Sequence, residues 1–532
     1  MPSQPTARNA AAHDAAATKP AATKPTSKKS AASEAILART DIVRNRGRLT
    51  LLNTAGLTPQ EAMVLDLLAV RRALDEGGIE YLLVRGNDAR PVLAIDTSLR
   101  EKLRECLVAA FAREPFHARS VDTRKSTVLV ADGLLAKEPK TRIIRLFRPR
   151  VAPLGGLYYG AAWGVQIELW AFSPTHIGLP VENSLTRRNV ERRDARPSTV
   201  ELHGKCWPTL ENMFIDHAFD IRFDIDMVFS WVDGSSENYQ VARRELESGA
   251  VLGEGDAHAS RFRHVDELKY ALRSVHLFAP WIRHIYIATD SPAPEWLAEH
   301  PKVTLVRSHE HFADPSVLPT HNSMAVESQL HHIEGLAEHF LYSNDDMFFA
   351  RPLSPELFFT TGGISRFMLS PNRIGLGESA QERSGFENSA RVNRRLLWDR
   401  FGAFTTRHLE HSAAPLRRSV LTQLNKEFEP EFAATAASTF RAANNISVTN
   451  SLYHYYALLT GRAVMHKDGR GIYVDTANMA GLTQLPHVLA RRNADFLCLN
   501  DGSFGDATPE LRRKLVTDFL EDYFPFKAPW EK

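Results

Sequence analysis

Cysteine is scarce in this chain. The 532 residues hold 3, Cys106, Cys206 and Cys498, far apart and without a CxxC pair. That argues against a disulfide framework or a thiolate zinc site and for a reducing compartment. Net charge is nearly absent as well: 65 Lys and Arg stand against 63 Asp and Glu, leaving +2. Such a balance gives no sign of a nucleic-acid surface, so a small molecule or a glycan is the expected partner. No apolar run reaches the roughly eighteen residues of a membrane span, and the N-terminus lacks the apolar core of a signal peptide. The expectation is a cytoplasmic protein.

What is present suffices for real cores, since 43% of residues are hydrophobic and the length suggests roughly three domains. Residues 1–37 are mostly Ala, Thr, Lys, Ser and Pro with almost no bulky apolar residue, as in AAATKPAATKPTSKKSAA. They bury too little to offset the entropy of ordering, which predicts a disordered basic tail whose lysines are solvated or touch anionic lipid. Residues 38–215 read as an α+β accessory module. Helical periodicity over Glu61–Leu74 and Leu99–Phe111 alternates there with strand-like runs at Ile79–Val84, Pro91–Ile95, Ser126–Val130, Arg142–Phe147 and Val165–Phe172. No motif in it carries chemistry, and acceptor selection and a structural cap are both open roles.

Beyond residue 216 the strand-like runs end in acids. IDMVFSWV (Ile225–Val232) stops at Asp233-Gly234, His284–Ala288 runs into Asp290, and Val303–Val306 follows. Glu267–Phe278 reads as a helix, and a second helix carrying Val326, Leu330, Ile333 and Ala337 leads into FLYSNDDMFFARPL (Phe340–Leu353). There two apolar runs flank Asn344-Asp345-Asp346, the pattern of a buried strand delivering carboxylates to a crevice. Paired acids of this kind hold a divalent cation against a diphosphate, because hard oxygens suit Mg2+ or Mn2+. A surface turn is the competing reading, since Asn and Asp favour turns. Strand and helix alternation implies a mostly parallel sheet whose carboxyl ends bind ligand, and Asp233, Asp290, Asp345 and Asp346 all fall at such ends.

Three stretches carry a family resemblance: IDMVFSWVDG (225–234), RFRHVDELKYALRSVHLFAPWIRHIYIATD (261–290) and LPTHNSMAVESQLHHIEGLAEHFLYSNDDMFFARPL (318–353). They resemble the first three conserved blocks of the Stealth family. A fourth block is similar in pieces, at Phe404–Arg418, Phe440–Tyr456 and Phe496–Asp501. The resemblance spans residues 216–505, with 506–532 as a C-terminal helical extension. It implies an α/β fold in which a Rossmann-like, mostly parallel catalytic sheet follows the N-terminal module. It also implies transfer of a hexose 1-phosphate from a UDP-sugar to a hydroxyl of a capsular or exopolysaccharide, or lipid-linked glycan, acceptor, with release of UMP. The setting would be the cytoplasm, at the inner face of the membrane.

The resemblance also implies roles. Asp345 and Asp346 would coordinate the Mg2+ or Mn2+, with one of them as an alternative general base, and Asn344 beside them. Asp226, Trp231, Asp233 and Gly234 would form the nucleotide-binding end of the first strand; Trp231 either stacks on uracil or closes the core. His411 matches a histidine near the phosphates, able to move a proton or, when charged, to stabilise negative charge. Many relatives carry a second histidine where this chain has Ala414, which weakens any two-histidine relay. Arg407 and Arg441 would clamp the diphosphate, because a guanidinium fork grips two phosphate oxygens; a surface ion pair is the plain alternative. Asn322 and Glu327 would reach the site from a helix start. Asn500 and Asp501 would complete the donor or metal shell, and Arg261, Arg263 and Asp266 are weaker candidates. Two other activities remain open: a metal-dependent glycosyltransferase that releases UDP, and a non-catalytic glycan-binding protein.

Overall fold

Five consecutive buried residues in IDMVFS, Ile225–Ser230, need a strand covered on both faces. The computed structural model describes residues 31–124, 126–247, 253–254, 265–502 and 505–532, and in it this strand is the middle of a five-stranded sheet. The order is Val303–Val306, Ile285–Ala288, Ile225–Ser230, His339–Asn344, Ala414–Arg417. The first four run parallel and the last antiparallel. Alternation sorts the side chains: Met227, Phe229 and Leu341 meet the helix Glu267–Phe278, whereas Val228, Phe340 and Tyr342 meet Leu397, Leu421 and Tyr456 on the other side. The fold is mixed α/β.

A second, three-stranded sheet joins the first at the acids. The chain leaves the five-stranded sheet at Asn344, turns through Asp345 and Asp346, and enters the new sheet at Met347–Phe349. That strand pairs antiparallel with Phe496–Asn500, which runs parallel to Gly471–Asp475. Two carboxylates therefore sit at the seam between sheets.

Upstream, Leu82–Glu191 contribute an eight-stranded mixed sheet. The helix Pro59–Glu76 covers it, starting at a reciprocal capping box between Thr58 and Glu61. Within it the fully buried Asp66 accepts hydrogen bonds from the guanidinium groups of Arg148 and Arg150. Among the described residues no helix is long and apolar enough to cross a membrane.

Three expectations need correction. The predicted tail holds a helix at Ala31–Leu37, because Ile36 is bulky enough to bury against Ile42, Leu49 and Leu129; residues 1–30 lie outside the described residues. The first strand ends at Ser230, so Trp231 and Val232 belong to the loop beyond it. The helix read through Ala337 ends at Gln329, giving way to a 3-10 turn and then to Gly335 at φ +77. Ile333 and Leu336 are buried all the same, and that burial produced the misleading periodicity.

The C-terminal segment is clamped onto the helix Glu267–Phe278. Arg273 donates to both oxygens of Glu531, to Glu521 and to the Phe524 carbonyl, and Trp530 is buried beside them. Removing one partner of a buried pair leaves the other charge uncompensated, at a cost of about 3 to 5 kcal/mol. Glu531→Gln is therefore expected to lower the urea midpoint and open residues 524–532 to protease; an unchanged cleavage pattern would sink the clamp.

Burial also depresses histidines. His331, which accepts from Asn425 and packs against His332, and His454 are each pushed down to about 3. A depressed histidine binds its proton in the unfolded chain first. Its stabilising contribution is thus complete above the unfolded value of 6.5 and drains away as pH falls towards about 3. The unfolding midpoint should fall across that window, and His454→Gln should flatten the fall if it folds; an equally steep profile would exclude His454.

Candidate functional site

The seam gathers more acid than the sequence pattern announced. Glu267, first residue of its helix and buried, caps its own entry by accepting from the Val265 N–H at 2.6 Å. Asp345 and Asp346 lie within its electrostatic reach. Burial first, then the neighbouring Asp346 and Glu267, push the Asp345 carboxyl well above the usual range. Burial and Glu267 push Asp346 up to about 6. Like charges at close range in a poorly solvated site disfavour ionisation of both.

One cation offsets this. Arg512, buried on the helix Pro509–Tyr523, approaches Glu267 at 3.5 Å and Asp501 at 3.4 Å and donates to the Thr476 hydroxyl at 2.9 Å. The Cys498 thiol lies 3.9 Å from Asp346 Oδ2, and Asp346 Oδ1 is buried without a hydrogen-bond partner. Among the described residues no group of three or more His, Cys, Asp or Glu is arranged to hold a metal ion. An unpartnered carboxylate oxygen nevertheless suits a hard cation that takes one or two carboxylates and fills its shell with water and substrate phosphate.

A second cluster lies along the same strand. The Tyr342 hydroxyl donates to Asn344 Oδ1 at 2.9 Å and lies 2.7 Å from the Ser230 hydroxyl. It also interacts with Glu327, whose carboxyl accepts from Thr449. Burial pushes the Glu327 carboxyl up, while Thr449 and Arg441 oppose that rise. Arg441 donates to the Ser323 hydroxyl at 3.0 Å and borders a cavity of about 260 Å3 with Arg383, Asn388 and Asn444. Tyr342 links this basic side to Asp345.

His411 is half-buried, its ring 5.0 Å from that of Tyr473, and Tyr473 bonds Asn500 and senses Asp346. Burial lowers the His411 pKa, which favours the neutral imidazole. Asn500 closes the strand Phe496–Asn500 opposite Asp475.

Other candidates fall elsewhere. Asp226 is corrected: it lies at the opening end of its strand, fully buried in an ion pair with Arg283 and accepting from the Ala337 N–H. Asn322 is corrected too. It caps the helix Ser323–Gln329 and donates to Asn445, tying that helix to the segment that carries Arg441. Asp233 caps its own turn, accepting from the Ser235 amide and hydroxyl, and the Gly234 carbonyl accepts from Gln240. Trp231 packs against the core beside Phe229. Asp290 caps the helix Ser308–His311 by accepting from Ser308. Arg407 sits opposite Arg373, its carbonyl accepting from Tyr455. Asp266 adopts φ 59 just before the helix, and Arg261 and Arg263 lie outside the described residues. Glu267, Tyr342, Tyr473 and Arg512 were missed; only the helix-start Glu267 carried a signal, and that position collects acids anyway.

Comparison with known proteins gives a consistent family. Residues 261–367 match the model of Stealth protein conserved region 2, 410–458 that of region 3, and 486–532 that of region 4. Residues 261–290 and 318–353 thus lie within one conserved region rather than two, and residues 506–532 lie inside region 4. The chain is 56% identical over 492 residues to exopolysaccharide phosphotransferase CpsY of Mycobacterium tuberculosis, covering 92% of each. It is 50% identical over 476 residues to an exopolysaccharide phosphotransferase of Nocardia farcinica, covering 90% of this chain and 88% of that one. A solved galactosyltransferase, LgtC, is similar at 10% identity over 57% of this chain and 96% of that one, with a TM-score of 0.30, too low to carry an argument.

Crowded acids predict a stability signature. In chelator, Asp346→Asn should raise the thermal midpoint, by about 2 to 4 °C for each ~1 kcal/mol of repulsion and desolvation relieved. A lower midpoint would mean that the carboxylate is held by favourable partners.

Proposed function

The chain belongs to the Stealth family, and from that premise we propose that it is an exopolysaccharide phosphotransferase, moving a hexose 1-phosphate from a UDP-sugar to a hydroxyl of a glycan acceptor. The carrying observation is the pairing of crowded carboxylates at Asp345 and Asp346 with Arg441, which reaches them through Glu327 and Tyr342. A diphosphate bound across this crevice needs both. The acceptor oxygen bonds to the sugar-bearing phosphorus, the phosphoanhydride bond breaks, and its bridging oxygen departs with UMP.

Asp345 and Asp346 would hold a Mg2+ or Mn2+ ion, whose chemistry when bound is to neutralise phosphate charge. His411, kept neutral by burial, takes the acceptor hydroxyl proton on an imidazole nitrogen. Arg441 grips the diphosphate with its fork, and the Ser323–Glu327–Tyr342 network fixes its position. Arg512, paired with Glu267, offsets the crowded charge at Asp346. Asn344, Asn500 and Asp501 border the donor, as do Asp233, Gly234 and Trp231 at the end of the neighbouring strand. Arg407 grips a more distant part of the substrate. A nucleotide-sugar donor places the reaction in the cytoplasm.

The test is the nucleotide released from UDP-sugars with Mg2+ and an exopolysaccharide extract. UMP is the expected product; UDP would replace this reading by glycosyl transfer. Asp345→Asn should cut turnover at least ~100-fold with the fold intact. Arg441→Ala should raise the donor KM by about 10- to 100-fold, as for loss of a charge-assisted bond. An unchanged donor KM would remove Arg441 from the site.

A further inference from the structure

Four half-exposed rings lie outside the core: Phe386 (45% exposed), Trp398 (52%), Phe404 (55%) and, beside His411, Tyr473 (48%). They are connected. Trp398 and Phe404 meet edge to face at 6.0 Å, Phe386 stacks on His408 at 4.7 Å, and Tyr473 packs on His411 at 5.0 Å. Arg394 lies over Phe404 at 4.5 Å and within electrostatic reach of His408. The segment Phe404 to His411 threads these contacts, with Arg407–Leu409 as a strand, and a chain of that length spans at most about 23 Å. Its far end is the Tyr473–Asn500 pair beside Asp346.

Exposed aromatics in a contiguous strip mark a binding groove more often than chance exposure. Some basic residues around the strip are engaged with the protein, whereas Arg373 and Arg395 are exposed and Arg407 is half-buried. Arg394 donates to the carbonyls of Thr405, Ile374 and Gly375, Arg391 to those of Leu376 and Glu387, and Arg400 pairs with Glu427. The strip therefore offers ring faces, with Arg373, Arg395 and Arg407 at its margins. A pyranose fits that surface, because its C–H face packs on an aromatic ring while its hydroxyls stay hydrated.

We propose that Trp398, Phe404, Phe386, His408 and Tyr473 form a docking track for the glycan acceptor chain, engaging sugar units remote from the hydroxyl that reacts. The inference rests on the phosphotransferase reading for its direction, because the track ends at the acids. Binding to these remote units is what lets a long polymer be favoured over a short one.

The test is affinity electrophoresis of the full chain through gels carrying exopolysaccharide extracted from the source cells, alongside sedimentation with phosphatidylglycerol vesicles. Wild type should be retarded by the polysaccharide, and the triple variant Phe386→Ala, Trp398→Ala, Phe404→Ala should lose about tenfold or more in affinity, with an unchanged thermal midpoint. Should that variant fail to fold, Trp398→Ala alone against Trp398→Tyr decides, since only the ring-bearing variant should keep retardation. Nucleotide release from UDP-sugar without acceptor should be the same in wild type and variants. Equal retardation of wild type and Ala variants, or none of wild type, overturns the track. Vesicle binding that the triple variant loses, with polysaccharide binding kept, overturns it in favour of a membrane surface. Retardation lost in the variants, but with no UMP from any donor, leaves the track standing and removes the phosphotransfer reading.

Discussion

Repulsion among carboxylates is the constraint on which this site depends. Glu267, Asp345 and Asp346 crowd into a poorly hydrated seam, an arrangement that costs stability unless something outside it compensates. Compensation comes from Arg512, and Arg512 is positioned by a helix far along the chain. That helix is in turn clamped through Glu521, and the segment after it through Glu531, to Arg273 on the same helix that begins with Glu267. The acids are thus held by a closed loop of contacts: helix start, seam, C-terminal helix, and back to the first helix.

The basic side follows the same logic with less strain. Glu327 is buried, yet Thr449, Tyr342 and Arg441 share its charge. Tyr342 faces Asn344 and Ser230 as well, so one phenol couples the strand ends to the arginine. A rigid polar network of this kind orients a guanidinium without spending binding energy at the moment of reaction.

How much was readable beforehand follows from how local each signal is. Asn344-Asp345-Asp346 stood out because acids interrupt apolar runs within a few residues, and the sheet placed them at a strand end. The helix Glu267–Phe278 and several strands were legible from periodicity for the same reason. Glu267 and Arg512 were not, since their contact spans 245 residues and neither side announces the other. Asp226 misled because its neighbours in sequence run towards the site; a strand separates its two ends, and Asp226 occupies the wrong one. Asn322 misled because helix capping and ligand binding call for the same side chain. The C-terminal helix carried no motif, although the acids depend on it.

The position of Arg512 and Glu531 has a consequence for biosynthesis. Ribosomes add roughly 5 to 20 residues each second and domains commonly fold as they emerge, so the five-stranded sheet is complete in sequence while the compensating arginine is still to be made. During that interval the acids face one another without their counter-charge. Nascent chains would therefore carry a formed scaffold with an unassembled crevice, and competence would arrive late and abruptly. A cell making this protein is thereby spared a half-built transferase acting on the ribosome.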